Sequence, residues 1–201
     1  LRYFMLSKSD LLTRSNIAGI AQNVSGDMAA EGCQWQSGLE LIIAPEWPSG
    51  FYLVRLEDAD GNRAEAFFVV RAGEPAAAML VLATSTWNAY NTWGGDSYYT
   101  GGHITSPVRP LQAGFLSKPD PHLYRIARYK DWGPEQVQAY RETGCDSWSM
   151  AAGWANWELL FVRWAEQRGY CLNYATSLDL DRDPSLLDGS PAYISVGHDE
   201  Y

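Results

Sequence analysis

Apolar and polar residues alternate with period two in one part of this chain and give way to unbroken apolar runs in another. The alternating part covers residues 38–71. In residues 51–57 Tyr52, Val54 and Leu56 share a face, and in residues 64–71 Ala66, Phe68 and Val70 do, as strands with one buried side require. Between them Asp58-Ala59-Asp60-Gly61-Asn62 is dense in turn formers and predicts a hairpin. Residues 39–44 predict one more short strand, closed by Pro45. These segments read as a β-sandwich portion, and residues 1–37, without a pattern of their own, are assigned to it.

The pattern breaks over residues 72–77, which hold Gly73 and Pro75 and no bulky apolar side chain. A linker there divides the chain into a β-sandwich-like domain at 1–73, a linker at 74–78 and an α/β domain at 79–201. Residues 79–83 are apolar without alternation, the pattern of a parallel strand buried on both faces. Residues 85–132 are rich in Gly, Pro, Tyr and Trp with no periodicity, and predict a long functional loop. A short helix is predicted at 134–141. The main helix is predicted at 146–168, capped by Asp146 or Ser147 and stopped by Gly169, with Leu160, Phe161, Trp164 and Ala165 on its apolar face and Gly153 weakening its first half. A strand at 170–175, a helical turn at 184–187 and a strand at 192–196 follow. Right-handed crossovers then give the flavodoxin-like strand order second, first, third, with a crevice between the carboxyl ends of the first and third strands. The loop carrying Trp87 to Tyr99 should face the turn carrying His198 to Tyr201. The fold class is therefore α/β: a β-sandwich portion followed by a parallel-sheet domain. Because the chain begins with Leu1 and stops at Tyr201, just past a strand, that domain is expected to be incomplete at its C-terminus.

Composition narrows the function. A net charge of -9 argues against nucleic acid or an anionic membrane surface as partner. No apolar run approaches the roughly 20 residues of a membrane span, and residues 1–6 are too short and lightly flanked for a signal peptide. Three separated cysteines, Cys33, Cys145 and Cys171, make neither a zinc site nor a disulfide framework. A reducing, cytoplasmic setting is the expectation, with secretion left open by the missing start. Nine Trp and twelve Tyr, many of them in the long loop, suit the wall of a pocket or a satellite core.

The candidate chemistry lies at the end of the last strand, in Gly197-His198-Asp199-Glu200-Tyr201, which places an imidazole and two carboxylates at the carboxyl edge of a sheet. Further motifs accompany it in order: Trp87-Asn88-Ala89-Tyr90-Asn91-Thr92-Trp93-Gly94-Gly95-Asp96-Ser97-Tyr98-Tyr99, Val108-Arg109-Pro110, Arg163-Trp164-Ala165-Glu166-Gln167-Arg168-Gly169-Tyr170 and Asp179-Leu180-Asp181-Arg182-Asp183-Pro184. Together with the hairpin, over roughly residues 40–201, they resemble the large (β) subunit family of N,N-dimethylformamidase. The resemblance implies a glutamine-amidotransferase-like α/β domain and hydrolysis of a small N-substituted amide at a mononuclear iron (Fe3+) held by two tyrosinates and a glutamate. It also implies a small accessory subunit and an oligomer. Glu200 matches the glutamate ligand and His198 a residue beside it. Tyr90 is the first candidate for a tyrosinate and Tyr98 or Tyr99 the second, with Tyr99 taken forward. Leu111 stands where relatives often carry an aromatic residue after Arg-Pro.

Phenolate and carboxylate are hard oxygen donors suited to ferric iron rather than zinc. The metal and the phenolates would stabilise each other, since a free tyrosine ionises only near pH 10. Bridged by one ion or one water, the Tyr90 and Glu200 oxygens should lie roughly 4 to 8 Å apart. His198 or Asp199 would relay a proton to the leaving amine. A cysteine nucleophile is rejected because no cysteine ends a strand in a glycine-flanked turn. His103 and His122 lack partners at ligand spacing. Asp179, Asp181 and Asp183 lack the glycine and terminal glutamate of a calcium loop, and Asp183-Pro184 reads as a cap and first turn. The competing function is a non-catalytic module of a larger protein, its aromatic crevice binding a carbohydrate or peptide.

Overall fold

The computed structural model describes residues 12, 14–24, 26–74, 76–121 and 133–201. Residues 1–6, Pro75 of the expected linker, His122 and the end of the expected long loop lie outside the described residues.

The hairpin forms where its pattern places it. Strand β1 (Gly50–Glu57) pairs antiparallel with β2 (Arg63–Val70). The Asp58 carboxylate closes the turn by accepting from the backbone N–H groups of Asp60 and Asn62 and from the Asn62 side-chain amide, a local alternative to ladder bonds that aspartate favours. Tyr52 pairs with Phe68 and Val54 with Ala66 on one face, while Phe51 and Leu53 pair with Val69 and Phe67 on the other. The second face enters the main core. The first stacks with Trp47, so both faces of this end of the hairpin are apolar.

No second antiparallel sheet covers the hairpin among the described residues. Among the described residues the antiparallel sheet has two strands, and residues 39–44 form no strand, with Ile42 89% exposed. With no neighbouring strand at hand, that apolar run has no ladder in which to pair its backbone groups. The hairpin leans instead on the parallel sheet, where the Tyr174 backbone N–H donates to Ser49 Oγ at 3.0 Å.

That sheet has β3 (Ala78–Leu82) at its centre, flanked in parallel by β4 (Leu172–Thr176) and β5 (Tyr193–Ile194). The order β4–β3–β5 is the second, first, third order that right-handed crossovers require. Every residue of β3 is buried, which is why its sequence carries no alternation. The outer strands are displaced or shortened: β4 starts two residues later than expected, and β5 keeps two residues of the expected five.

The helices depart further from expectation. After the single turn α1 (Met28–Glu31), capped by Asp27, helix α2 (Thr84–Tyr90) occupies the start of what reads as loop. Residues Thr86 to Tyr90 are all buried, so α2 has no polar face and shows no 3.6-residue period. Helix α3 (Pro134–Glu142) forms with proline in its first turn. The single helix expected over 146–168 is instead a 3-10 turn (Ser147–Met150) and α4 (Glu158–Gln167). The break falls at Gly153, whose φ is +111° and whose added Cβ would lie 2.7 Å from the Phe115 carbonyl oxygen; the backbone at Phe115 occupies the space a side chain would need. Helix α5 (Ser177–Arg182), absent from the sequence reading, leaves β4 directly through a capping box between Thr176 and Asp179. Asp183 caps the following 3-10 turn (Pro184–Leu187).

Phe51 and Leu53 of the hairpin, Leu80 and Leu82 of β3, Trp87 of α2, Trp154, and Leu159 and Val162 of α4 share one core. Phe51 lies stacked on Trp154 with ring centroids 3.9 Å apart. The core thus joins residues on both sides of the expected linker. Among the described residues no helix is long and apolar enough to cross a membrane.

Candidate active site

Two chain segments meet at the carboxyl edge of the sheet. One is α2, entered straight from β3. The other is the turn after β5, which bends at Gly197 with φ +76° and lies flat against the Trp157 indole, where an added Cβ would overlap the ring. Trp157 is itself held, its Nε1 donating to the Ala151 carbonyl oxygen at 2.7 Å. Thr86 joins the two segments: its Oγ1 accepts from the backbone N–H of Glu200 at 2.8 Å and of Tyr201 at 3.2 Å. This is the switch point between strands of opposite crossover direction, where open α/β sheets place their sites.

The functional groups converge on one oxygen. Glu200 Oε2 accepts from Tyr99 Oη at 2.6 Å and from Tyr90 Oη at 3.2 Å, and His198 Nε2 lies 3.0 Å from it. The Tyr90–Glu200 separation is shorter than the expected 4 to 8 Å because the hydroxyl bonds the carboxylate directly. Tyr99 Oη also meets Tyr201 Oη at 3.1 Å. The Tyr90 and Tyr99 rings are 4.2 Å apart, with Trp148 packed against both and His198 edge-on to Tyr90. On the far side of His198, Nδ1 lies 3.3 Å from the Ala151 carbonyl oxygen. A carbonyl can only accept, so the ring is oriented with one nitrogen toward this acceptor and the other toward the carboxylate.

The electrostatics follow from these contacts. Hydrogen bonds from Tyr99, and then from Tyr90 and His198, hold the Glu200 carboxyl below its usual range against the opposing effect of burial. Burial pushes the Tyr90 hydroxyl up, and burial with the bond to Glu200 pushes that of Tyr99 up further. Both phenols therefore stand here as protonated donors.

Of the residues singled out in the sequence, Glu200, His198, Tyr90 and Tyr99 come together, with Tyr90 at the end of a helix rather than within a loop. Tyr98 packs on the Tyr201 ring instead. Asp199 turns the other way, its Oδ2 accepting from Ser195 Oγ. Leu111 packs against the main core, and His103 is exposed on its loop.

Thr86 and Glu158 contribute to the site with no signal in the sequence beyond being polar, and Arg109 of the Val108-Arg109-Pro110 motif contributes through its packing rather than through chemistry. It is 9% exposed, and its guanidinium donates to the carbonyl oxygens of Asn88 at 3.2 Å, Asn91 at 3.0 Å, Ser106 at 3.0 Å and Trp93 at 2.5 Å, and to Asn88 Oδ1 at 3.2 Å. A cation on the last carbonyls of α2 completes the helix end electrostatically and ties the loop toward Tyr99 to it. Burial draws this guanidinium below its ordinary pKa. Beyond Trp148 a cavity of about 410 Å³ is lined by Thr92, Gln112, Arg141 and Asp146.

Tyr90, Tyr99 and Glu200 are the residues here that could hold a metal. Their donor set is three oxygens, two phenolic and one carboxylic, which is chemistry that fits a ferric ion. Among the described residues no group of three His, Cys, Asp or Glu converges, so a metal at this place would draw on the phenols.

A parallel β4–β3–β5 sheet with an oxygen-rich cluster at its carboxyl edge defines an α/β protein with a candidate site at the switch point. A family model described as N,N-dimethylformamidase beta subunit-like, C-terminal, matches residues 7–201, and the chain belongs to that family. The family is named for a subunit of an amide hydrolase. No curated protein matches the chain.

Proposed function

We propose that the protein hydrolyses the C–N bond of a small N-substituted amide at a mononuclear ferric iron held by Tyr90, Tyr99 and Glu200. The observation that carries this reading is the meeting of two phenol hydroxyls on one carboxylate oxygen, in a member of a family named for an amidase. Bound there, iron would serve as a Lewis acid toward the amide carbonyl and toward water. The chain's own residues supply the remainder. Thr86 fixes the backbone of Glu200. His198, oriented by the Ala151 carbonyl, is the group we assign to carry a proton toward the leaving amine. Asp199 braces the turn through Ser195 and is the weaker candidate for that role. Trp148 and the two tyrosine rings form an aromatic wall beside the carboxylate. An accessory subunit and an oligomeric assembly belong to the same proposal.

The test is elemental analysis of purified full-length protein, together with amine release from N,N-dimethylformamide and other small N-substituted amides. Near-stoichiometric iron with turnover is the expected result. Protein that takes up no iron and turns over none of these amides would overturn the reading in favour of a carbohydrate- or peptide-binding module.

A further inference from the structure

Glu158 opens α4 and is 1% exposed. Its Oε1 accepts from the backbone N–H of Ala83 at 3.3 Å and from Trp87 Nε1 at 3.0 Å, while Oε2 has no hydrogen-bond partner among the described residues. Burial raises this carboxyl to about 7 despite the bonds it accepts. An interior position filled for volume alone takes leucine or methionine, without the cost of desolvating an acid. What the carboxyl adds is one acceptor shared by two donors of the β3–α2 turn.

Those donors lead directly to the site. Ala83 links the last residue of β3 to the first of α2, and Trp87 lies within α2, so the two bonds fix where α2 starts and how it is rotated against α4. Helix α2 in turn carries Thr86, which holds the backbone of Glu200 and Tyr201, and Tyr90, which bonds the Glu200 carboxylate. The residue just before Glu158 is Trp157, the floor beneath Gly197. Adjacent residues at the start of α4 therefore support both sides of the crevice. We propose that Glu158 is a positioning residue for the site: from beneath the sheet edge it sets α2 against the 197–201 turn and so fixes the approach of Tyr90 to Glu200. As a statement about the reaction this rests on the amidase reading; as geometry it is tested without it.

Amide hydrogen exchange in the full chain without added metal decides the matter, comparing wild type with Glu158→Leu, Glu158→Gln and Trp87→Phe. In Glu158→Leu the amides of Ala83, Glu200 and Tyr201 should exchange at least about tenfold faster, while those of Leu80 and Ala175 in the sheet stay within about twofold. Glu158→Gln keeps an acceptor oxygen and should restore protection to within about threefold. Trp87→Phe removes the indole donor alone and should fall between the two. The proposal is overturned if the 200–201 amides keep wild-type protection in both the Leu and Phe variants. It is equally overturned if all amides accelerate together, the mark of a residue that merely stabilises the fold. Should Glu158→Leu fail to fold, Trp87→Phe decides by the same criteria. Iron content measured alongside separates the two claims: wild type that binds no iron defeats the amidase reading and leaves the exchange result standing.

Discussion

Glu200 draws two phenol hydrogens and an imidazole nitrogen to a single oxygen, and the charge of that oxygen organises the group. Glu200→Gln keeps the shape and removes the charge, so iron occupancy and amide turnover should fall together by at least about tenfold. Its side chain is 43% exposed, and the melting temperature should move by no more than about two degrees. Elemental analysis, amine release and calorimetry on one variant distinguish a ligand from a bland carboxylate, which would alter none of the three. Glu158 makes a different expectation through pH. Burial lifts its folded pKa to about 7, above the ordinary carboxyl value of 4.5, so the folded state binds the extra proton between those values. The stability tied to that proton is fully present below pH 4.5 and is lost as pH rises through 7. Relative to Glu158→Gln, wild type should lose up to about 3 kcal/mol across this window, seen as a steadily falling difference in urea midpoint. A difference that stayed flat or rose with pH would contradict a raised pKa. Glu200, His198 and Tyr90 were legible in the sequence because they stand in short motifs. Glu158 and Thr86 were not, because their partners lie far away along the chain, and the motif that contains Arg109 does not say which carbonyls it satisfies.

Helix α2 shows why element boundaries near a site resist sequence reading. Its residues Thr-Ser-Thr-Trp-Asn-Ala-Tyr are mostly poor helix formers, and it is held by what it touches: Ser177 Oγ accepts from the Ser85 backbone N–H at its start, and Arg109 takes up its last carbonyls. No window of the sequence contains those partners. The helix expected over 146–168 failed for a related reason, since the backbone at Phe115, which breaks it at Gly153, is remote in sequence. The hairpin was legible because its turn and pairing are local. The dependence of α2 on Arg109 can be measured. Lysine retains the charge but not the planar fork, and it cannot reach four carbonyls and an amide oxygen at once. Arg109→Lys should cost about 2–3 kcal/mol in urea unfolding, and should free the loop between Trp93 and Tyr99 for faster amide exchange. Wild-type stability in that variant would mean the carbonyls are satisfied without the guanidinium.

Strand order follows from chain handedness and is legible in the sequence, whereas the way the two sheets share a core is not. Both faces of the hairpin are apolar at the end away from its turn, so the alternation of Tyr52, Val54 and Leu56 could not reveal that Phe51, Leu53, Phe67 and Val69 point into the α/β part. The Phe51 ring lies on Trp154, itself fully buried between the hairpin and α4. A core shared in this way predicts that the hairpin and the parallel sheet unfold as one cooperative unit, since unfolding either part exposes the inner surface of the other. Phe51→Ala should therefore cost about 3–5 kcal/mol and lower the whole transition. Tryptophan fluorescence, which sums over nine tryptophans including the buried Trp154 and Trp87, and far-ultraviolet circular dichroism should shift to the same lower midpoint. Two separate domains would behave differently: the variant would melt the hairpin early and leave the transition of the β4–β3–β5 sheet in place. Because α2 packs into the same core through Trp87, Ala89 and Tyr90 and holds the 197–201 turn through Thr86, a single shared transition would also mean that the Tyr90, Tyr99 and Glu200 arrangement is lost with the hairpin. Iron retention, followed through the same melt in loaded protein, should then end at the midpoint of the fold.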